Sequence, residues 1–127
     1  MFKFYGCEPL VDTIPDERVC EPYIKAGAKP AKAKDTILVM TWNIRFGCGT
    51  EILWFGDACG DRTVLKRMEV QQNLDALVSA IQSIRPDVLL LQEVDIISKR
   101  SAYIDQMKYI MDRTHFGNGY YSTNWKS

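Results

Sequence analysis

At 127 residues, with 46% hydrophobic and 25% charged side chains, the chain has the make-up of one globular domain and too little length for two cores. Sixteen basic and sixteen acidic residues cancel to a formal net charge of zero, so no global basic field recommends a long polyanion as partner. No run approaches the roughly 18 apolar residues of a membrane span, and residues 1–9 lack the apolar stretch of a secretory signal, so a cytoplasmic chain is the default. Cys7, Cys20, Cys48 and Cys59 show no Cys-x-x-Cys spacing, and the lone His115 completes no zinc set with them. Reduced thiols are expected; export would permit pairing of Cys7 with Cys20 or of Cys48 with Cys59.

Residues 1–35 read as an irregular N-terminal arm and linker. Pro9, Pro15, Pro22 and Pro30 interrupt every candidate element, and the Ala/Lys-rich stretch 26–34 reads as a solvated tether rather than a phosphate site. Residues 36–127 carry the folded pattern. From Ile37 to Phe46, Ile37, Val39, Thr41, Asn43 and Arg45 alternate with Leu38, Met40, Trp42, Ile44 and Phe46, and the β-branched and aromatic content predicts a strand. Gly47-Cys48-Gly49 ends it. A dinucleotide turn is excluded there because Ile52 stands where Gly-x-Gly-x-x-Gly needs its third glycine, and no P-loop exists elsewhere. Asp57 and Asp61, in the glycine-rich loop that follows, read as turn residues rather than cation ligands.

Beyond Thr63 the period becomes helical. Val70, Leu74, Leu77, Val78, Ile81 and Ile84 make one apolar stripe, with Thr63 or Asp61 as N-cap and Pro86 as the stop. Glu69, Gln71, Gln72, Asp75 and Gln82 lie off the stripe. Val88-Leu89-Leu90-Leu91 then reads as a strand buried on both faces, broken by Gln92-Glu93. A second amphipathic helix is predicted with Ser101 as N-cap and Tyr103, Ile104, Met107, Ile110 and Met111 on its stripe, leaving through Gly117 and Gly119 into a strand-like C-terminal stretch. His115 reads as a helix C-terminal residue favoured by the dipole, not as a catalytic group.

Strand, helix and apolar strand in succession predict a right-handed βαβ crossover in an α/β domain. Its two parallel strands, about 4.8 Å apart, would carry Asn43 and Glu93 at their C-terminal ends, the edge where open α/β sheets collect ligands. A carboxylate and an amide oxygen form a hard, oxygen-only site suited to Mg²⁺, which keeps waters and takes substrate phosphate oxygens. Lys99 and Arg100, just beyond, are candidates to hold that phosphate.

Met40-Thr41-Trp42-Asn43-Ile44-Arg45-Phe46-Gly47 and Asp87-Val88-Leu89-Leu90-Leu91-Gln92-Glu93-Val94-Asp95 together resemble the first two motifs of the endonuclease/exonuclease/phosphatase superfamily, the DNase I-like metal-dependent phosphoesterases. The resemblance runs from about Thr36 to the C-terminus. It implies that Glu93 is a Mg²⁺ ligand (Mn²⁺ as substitute), that Asn43 supports the metal and phosphate site, and that the fold is the N-terminal half of a four-layer α/β sandwich. Segments such as 98–101, with Arg100, continue it toward the substrate. The implied function is Mg²⁺-dependent hydrolysis of a phosphoester, whether nucleic acid, lipid or small molecule; no obligate protein partner is expected. The alternative is a non-catalytic binding protein on the same scaffold. The later family motifs, a Gly-Asp-x-Asn turn and a Ser-Asp-His ending, do not occur here. The chain is therefore expected to be an incomplete domain holding half of the active site and nearly inactive alone.

Overall fold

The computed structural model describes residues 19–30, 32–55 and 60–123. Two short apolar segments set its frame. β2 (Val39–Asn43) and β3 (Val88–Gln92) pair in parallel, in the register Val39↔Val88, Met40↔Leu89, Thr41↔Leu90, Trp42↔Leu91 and Asn43↔Gln92. Side chains alternate across a strand, so Leu89 and Leu91 fall on one face and pack against the core. Val39, Val88 and Leu90 fall on the other and remain 50%, 38% and 52% exposed. The expected burial on both faces is thus corrected: the described core lies on one side of this sheet only. The first strand also ends sooner than its alternation suggests. At Asn43 the chain leaves the ladder for a tight 3₁₀ turn, Arg45–Gly47, which carries Ile44, Phe46, Gly47 and Cys48 into the core.

α1 (Arg67–Ile84) joins these strands and supplies that core. Val70, Leu74, Leu77, Val78 and Ile81 are buried in one stripe, in a cluster with Ile44, Phe46, Leu65, Ile104 and Ile110. Full burial of one such side chain stabilises by about 1.5–3 kcal/mol. The helix starts later than expected because the preceding backbone is already engaged: Phe55 N–H donates to the Arg62 carbonyl, and Leu65 N–H to the Arg100 carbonyl. Neither Asp61 nor Thr63 caps it. Lys66 takes the N-cap position, and the Glu69 carboxylate reaches back to accept the Lys66 N–H at 2.7 Å. Glu69 also accepts from Arg62 at 2.7 Å, so this off-stripe residue both caps the helix and pairs with the loop before it. Arg85, at φ 50°, closes the helix ahead of Pro86, its N–H bonded to the Ile81 carbonyl.

α2 (Gln106–Arg113) is capped by Asp105, whose carboxylate accepts the Lys108 N–H at 2.8 Å. Ser101, the expected cap, is instead fully buried in a 3₁₀ turn at Lys99–Ser101. Within the stretch read as an irregular arm, β1 (Glu21–Ile24) forms and pairs antiparallel with β4 (Asn118–Tyr121). Pro22 is accommodated in this two-stranded ribbon, where half of each strand's backbone groups face away from the partner. The ribbon lies against α2. Lys25 Nζ donates to the carbonyls of Met111 and Thr114 at the helix's C-terminal end, and Tyr23 Oη donates to Asp112. Gly119 faces the flexible ends of Met107 and Met111, which a Cβ there would have to displace. Residues 1–18, including Cys7, and 56–59, including Asp57 and Cys59, lie outside the described residues, as does 124–127. Neither candidate cysteine pairing is therefore decided. Among the described residues, no helix is long and apolar enough to cross a membrane.

Candidate functional site

Parallel pairing brings the C-terminal ends of β2 and β3 side by side, and with them Asn43 and Glu93. Asn43 Nδ2 donates to Glu93 Oε1 at 2.8 Å. Asn43 Oδ1 accepts the Arg45 N–H at 2.9 Å, which fixes the amide's orientation and leaves its NH₂ no alternative but to face the carboxylate. The oxygen keeps one lone pair. Glu93 itself is exposed, and Oε2 has no hydrogen bond among the described residues. The acid is held by one oxygen and open at the other.

The backbone around this pair is strained. Arg45 (φ 48°), Phe46 (φ 44°) and Glu93 (φ 55°) all adopt the left-handed conformation, which costs a residue with a Cβ about 1–2 kcal/mol. Hydrogen bonds between the two loops hold it: Ile44 N–H to the Gln92 carbonyl at 3.0 Å and Phe46 N–H to the Glu93 carbonyl at 2.8 Å. Gly47 (φ 73°) lets the turn press onto α1, where a Cβ would stand 2.9 Å from Val70 Cγ1. Asn73 Nδ2 then donates to the Gly47 carbonyl at 3.0 Å.

Behind the site lies a second, closed polar cluster. The Asp95 carboxylate accepts from Arg100 Nε at 2.9 Å, Arg100 Nη2 at 2.8 Å and Ser101 Oγ at 2.8 Å. Gln106, fully buried, accepts the Asp95 N–H at 3.0 Å and donates to the Phe46 carbonyl at 2.6 Å. One α2 side chain thus clamps both loops that carry Asn43 and Glu93. The Arg100 guanidinium lies 4.1 Å from the Phe46 ring centroid, and Phe46 meets Trp54 at 4.7 Å with an interplanar angle of 55°. Hydrogen bonding to Asp95 raises the Arg100 pKa above its already high ordinary value, and Glu93 adds to the rise through space.

A cleft of about 390 Å³ opens at the strand ends, lined by Asn43, Arg45, Phe46, Trp54 and Glu93. Two of the four residues expected at the site, Asn43 and Glu93, therefore meet there. Arg100 is not part of the cleft lining; both its Nε and Nη2 are engaged by Asp95. Lys99 is exposed on the neighbouring turn. His115 Nε2 lies 2.8 Å from the Pro86 carbonyl, at the opposite end of β3 from Glu93. Sequence reasoning overlooked Arg45, Trp54 and Gln106. Trp54 sits in a glycine-rich loop with no period to place it. Gln106 had a usable signal, since it lies four residues before Ile110 on the buried stripe. Among the described residues, no three or more His, Cys, Asp or Glu side chains cluster as a metal cage.

A family model described as the Endonuclease/Exonuclease/phosphatase family matches residues 40–126, well over half of the chain. The chain belongs to the endonuclease/exonuclease/phosphatase family. Members are generally hydrolases that act on phosphoesters and depend on divalent metals. No curated protein and no solved structure matches the chain.

Proposed function

We propose that this chain contributes the metal-binding edge of a Mg²⁺-dependent phosphoester hydrolase, with Glu93 as the carboxylate ligand and Asn43 as the residue that aims it. The observation that carries this reading is the 2.8 Å Asn43–Glu93 hydrogen bond across neighbouring parallel strand ends, with Glu93 lining the cleft and its Oε2 without a hydrogen bond among the described residues. The donor set fits the ion. Mg²⁺ needs only one or two carboxylates because waters and substrate phosphate complete its octahedron, so the lack of a three-residue cage among the described residues is no obstacle. Mn²⁺ suits the same oxygens. Bound there, the ion supplies Lewis-acid polarisation of a phosphoryl oxygen.

The chain's own residues do the rest of the work assigned here. Asn43 Nδ2 fixes the carboxylate rotamer, so Glu93 meets a cation without first losing rotamer freedom. Asn43 Oδ1, which accepts the Arg45 N–H and keeps one lone pair, would serve as a second oxygen donor. Arg45 adds a positive charge at the cleft wall, its Nη1 anchored to the Gly49 carbonyl at 2.8 Å. Arg100 acts from behind, as a charge felt by Glu93 and a brace for Asp95, rather than as the phosphate-holding group expected from sequence. The same reading takes residues 36–127 as part of a four-layer sandwich containing a β2–α1–β3 crossover. The half-exposed Val39, Val88 and Leu90 support it, since they offer an apolar face on which a further sheet can pack.

The test is hydrolysis of a chromogenic phosphodiester, with Mg²⁺ or with EDTA, by the chain joined to a family segment that carries the Gly-Asp-x-Asn and Ser-Asp-His motifs. The Mg²⁺-dependent rate is expected to fall on the order of 100-fold in Glu93→Ala and about 10-fold or more in Asn43→Ala. Hydrolysis unchanged in Glu93→Ala removes the metal role. Mg²⁺ binding at Glu93 without turnover favours a non-catalytic binding protein on the same scaffold.

A further inference from the structure

The cleft is not uniformly polar. Asn43 and Glu93 occupy one part of its lining, while Phe46 and Trp54 make another, with Arg45 also in the wall. Phe46 is 4% exposed and belongs to the core, so it offers little surface to a ligand. Trp54 is half-buried, and Phe46 supports it at 4.7 Å. Phe46 is in turn backed by the Arg100 guanidinium at 4.1 Å, which Asp95 holds by two hydrogen bonds. The indole of Trp54, supported in this way, thus shares a cleft with the Asn43–Glu93 pair.

We infer that Trp54 is a specificity-determining residue whose indole stacks on the base of a nucleoside phosphate bound in this cleft. The inference rests on the reading of Glu93 as a metal and phosphate site and adds the group attached to that phosphate. Base stacking on an aromatic side chain is tolerant of sequence and contributes about 1–3 kcal/mol per base. An indole also attracts quaternary ammonium groups, so a phosphocholine ester is the competing ligand. Arg45 in the same wall puts a guanidinium beside that headgroup and opposes it. A neutral base meets no such penalty.

The experiment is calorimetric titration of the intact 127-residue chain in Mg²⁺ with adenosine 5′-monophosphate, ribose 5-phosphate and phosphocholine. Adenosine monophosphate is expected to bind roughly 10-fold more tightly than ribose 5-phosphate, the equivalent of about 1.4 kcal/mol of stacking. Trp54→Leu keeps apolar volume against Phe46 but has no aromatic face, and Trp54→Phe keeps a smaller one. The preference should vanish in Trp54→Leu and largely persist in Trp54→Phe, with ribose 5-phosphate affinity unchanged in both. Equal affinity for the two ligands in the native chain, an equal loss of both in Trp54→Leu, tightest binding of phosphocholine, or no binding at all overturns the assignment. Failure of the underlying metal reading looks different. There, Glu93→Gln leaves the binding of every phosphate unchanged, while the effect of Trp54 on base preference is still read independently.

Discussion

Glu93 and Asp95 follow the same strand, two positions apart, yet their carboxylates live in opposite surroundings. Glu93 is exposed, has one oxygen bonded to Asn43, and stands on a left-handed backbone. Asp95 is 8% exposed, and its two oxygens receive three hydrogen bonds from Arg100 and Ser101. A buried charge persists only if it is paired and its lone pairs are filled, and Asp95 meets both conditions. A ligand-binding charge needs the reverse, a fixed position with an open lone pair. The contrast separates the acid that builds the site from the acid that can use it. Gln106 connects the two, because its amide spans from Asp95 to Phe46 and so determines where both loops lie.

The largest expected effect comes from breaking the closed cluster. Asp95→Ala strands a partly buried guanidinium and should lower unfolding free energy by about 3 kcal/mol in urea denaturation. Gln106→Leu preserves volume but orphans the Asp95 N–H and the Phe46 carbonyl, with an expected cost of about 2 kcal/mol. Removing the α2 cap by Asp105→Ala should cost about 1 kcal/mol. Such a value would mark the cost of one exposed hydrogen bond against the buried ones. Glu93→Gln belongs at the bottom of the scale. It should change stability by less than about 0.5 kcal/mol, because an exposed amide can still accept from Asn43. A cost for Glu93→Gln as large as that for Asp95→Ala would erase the distinction between the two acids.

Acid titration sharpens the same comparison at the surface. The Lys66 N–H first, and then Arg62, hold the Glu69 pKa below its ordinary 4.5. The Leu38 N–H first, and then Lys34, do the same to Asp87 below its ordinary 3.8. Both groups have folded pKa values beneath the unfolded ones, so their stabilisation is complete above about pH 4.5 and is lost as pH falls through the folded values. Glu69→Gln should flatten that acid limb in thermal melts recorded between pH 5 and pH 3.

How much of this was legible beforehand follows from range. The apolar runs of Val39–Asn43 and Val88–Gln92 and the stripe of α1 declare themselves locally, and the meeting of Asn43 with Glu93 follows once the strands run parallel. β1 does not declare itself. It is four residues long, contains Pro22, and owes its existence to a partner strand near the other end of the chain. Helix starts were misplaced for a related reason: Ser101 has the chemistry of a cap, but the buried Asp95 claims its hydroxyl. The pairing of Arg100 with Asp95, five residues earlier, was not legible either, because neighbours in sequence do not reveal it. Trp54 enters the site through tertiary contacts, its ring against Phe46 and its backbone bridged to Arg62, that no local pattern announces.

The most direct measurement is Mg²⁺ titration of the 127-residue chain and its Glu93→Gln variant, followed by backbone amide NMR shifts. Saturable shifts confined to the segments around Asn43–Phe46 and Gln92–Val94, abolished in Glu93→Gln and retained in an Asp87→Asn control, are the predicted result. Shifts that are absent in the native chain, or that persist undiminished in Glu93→Gln, contradict it.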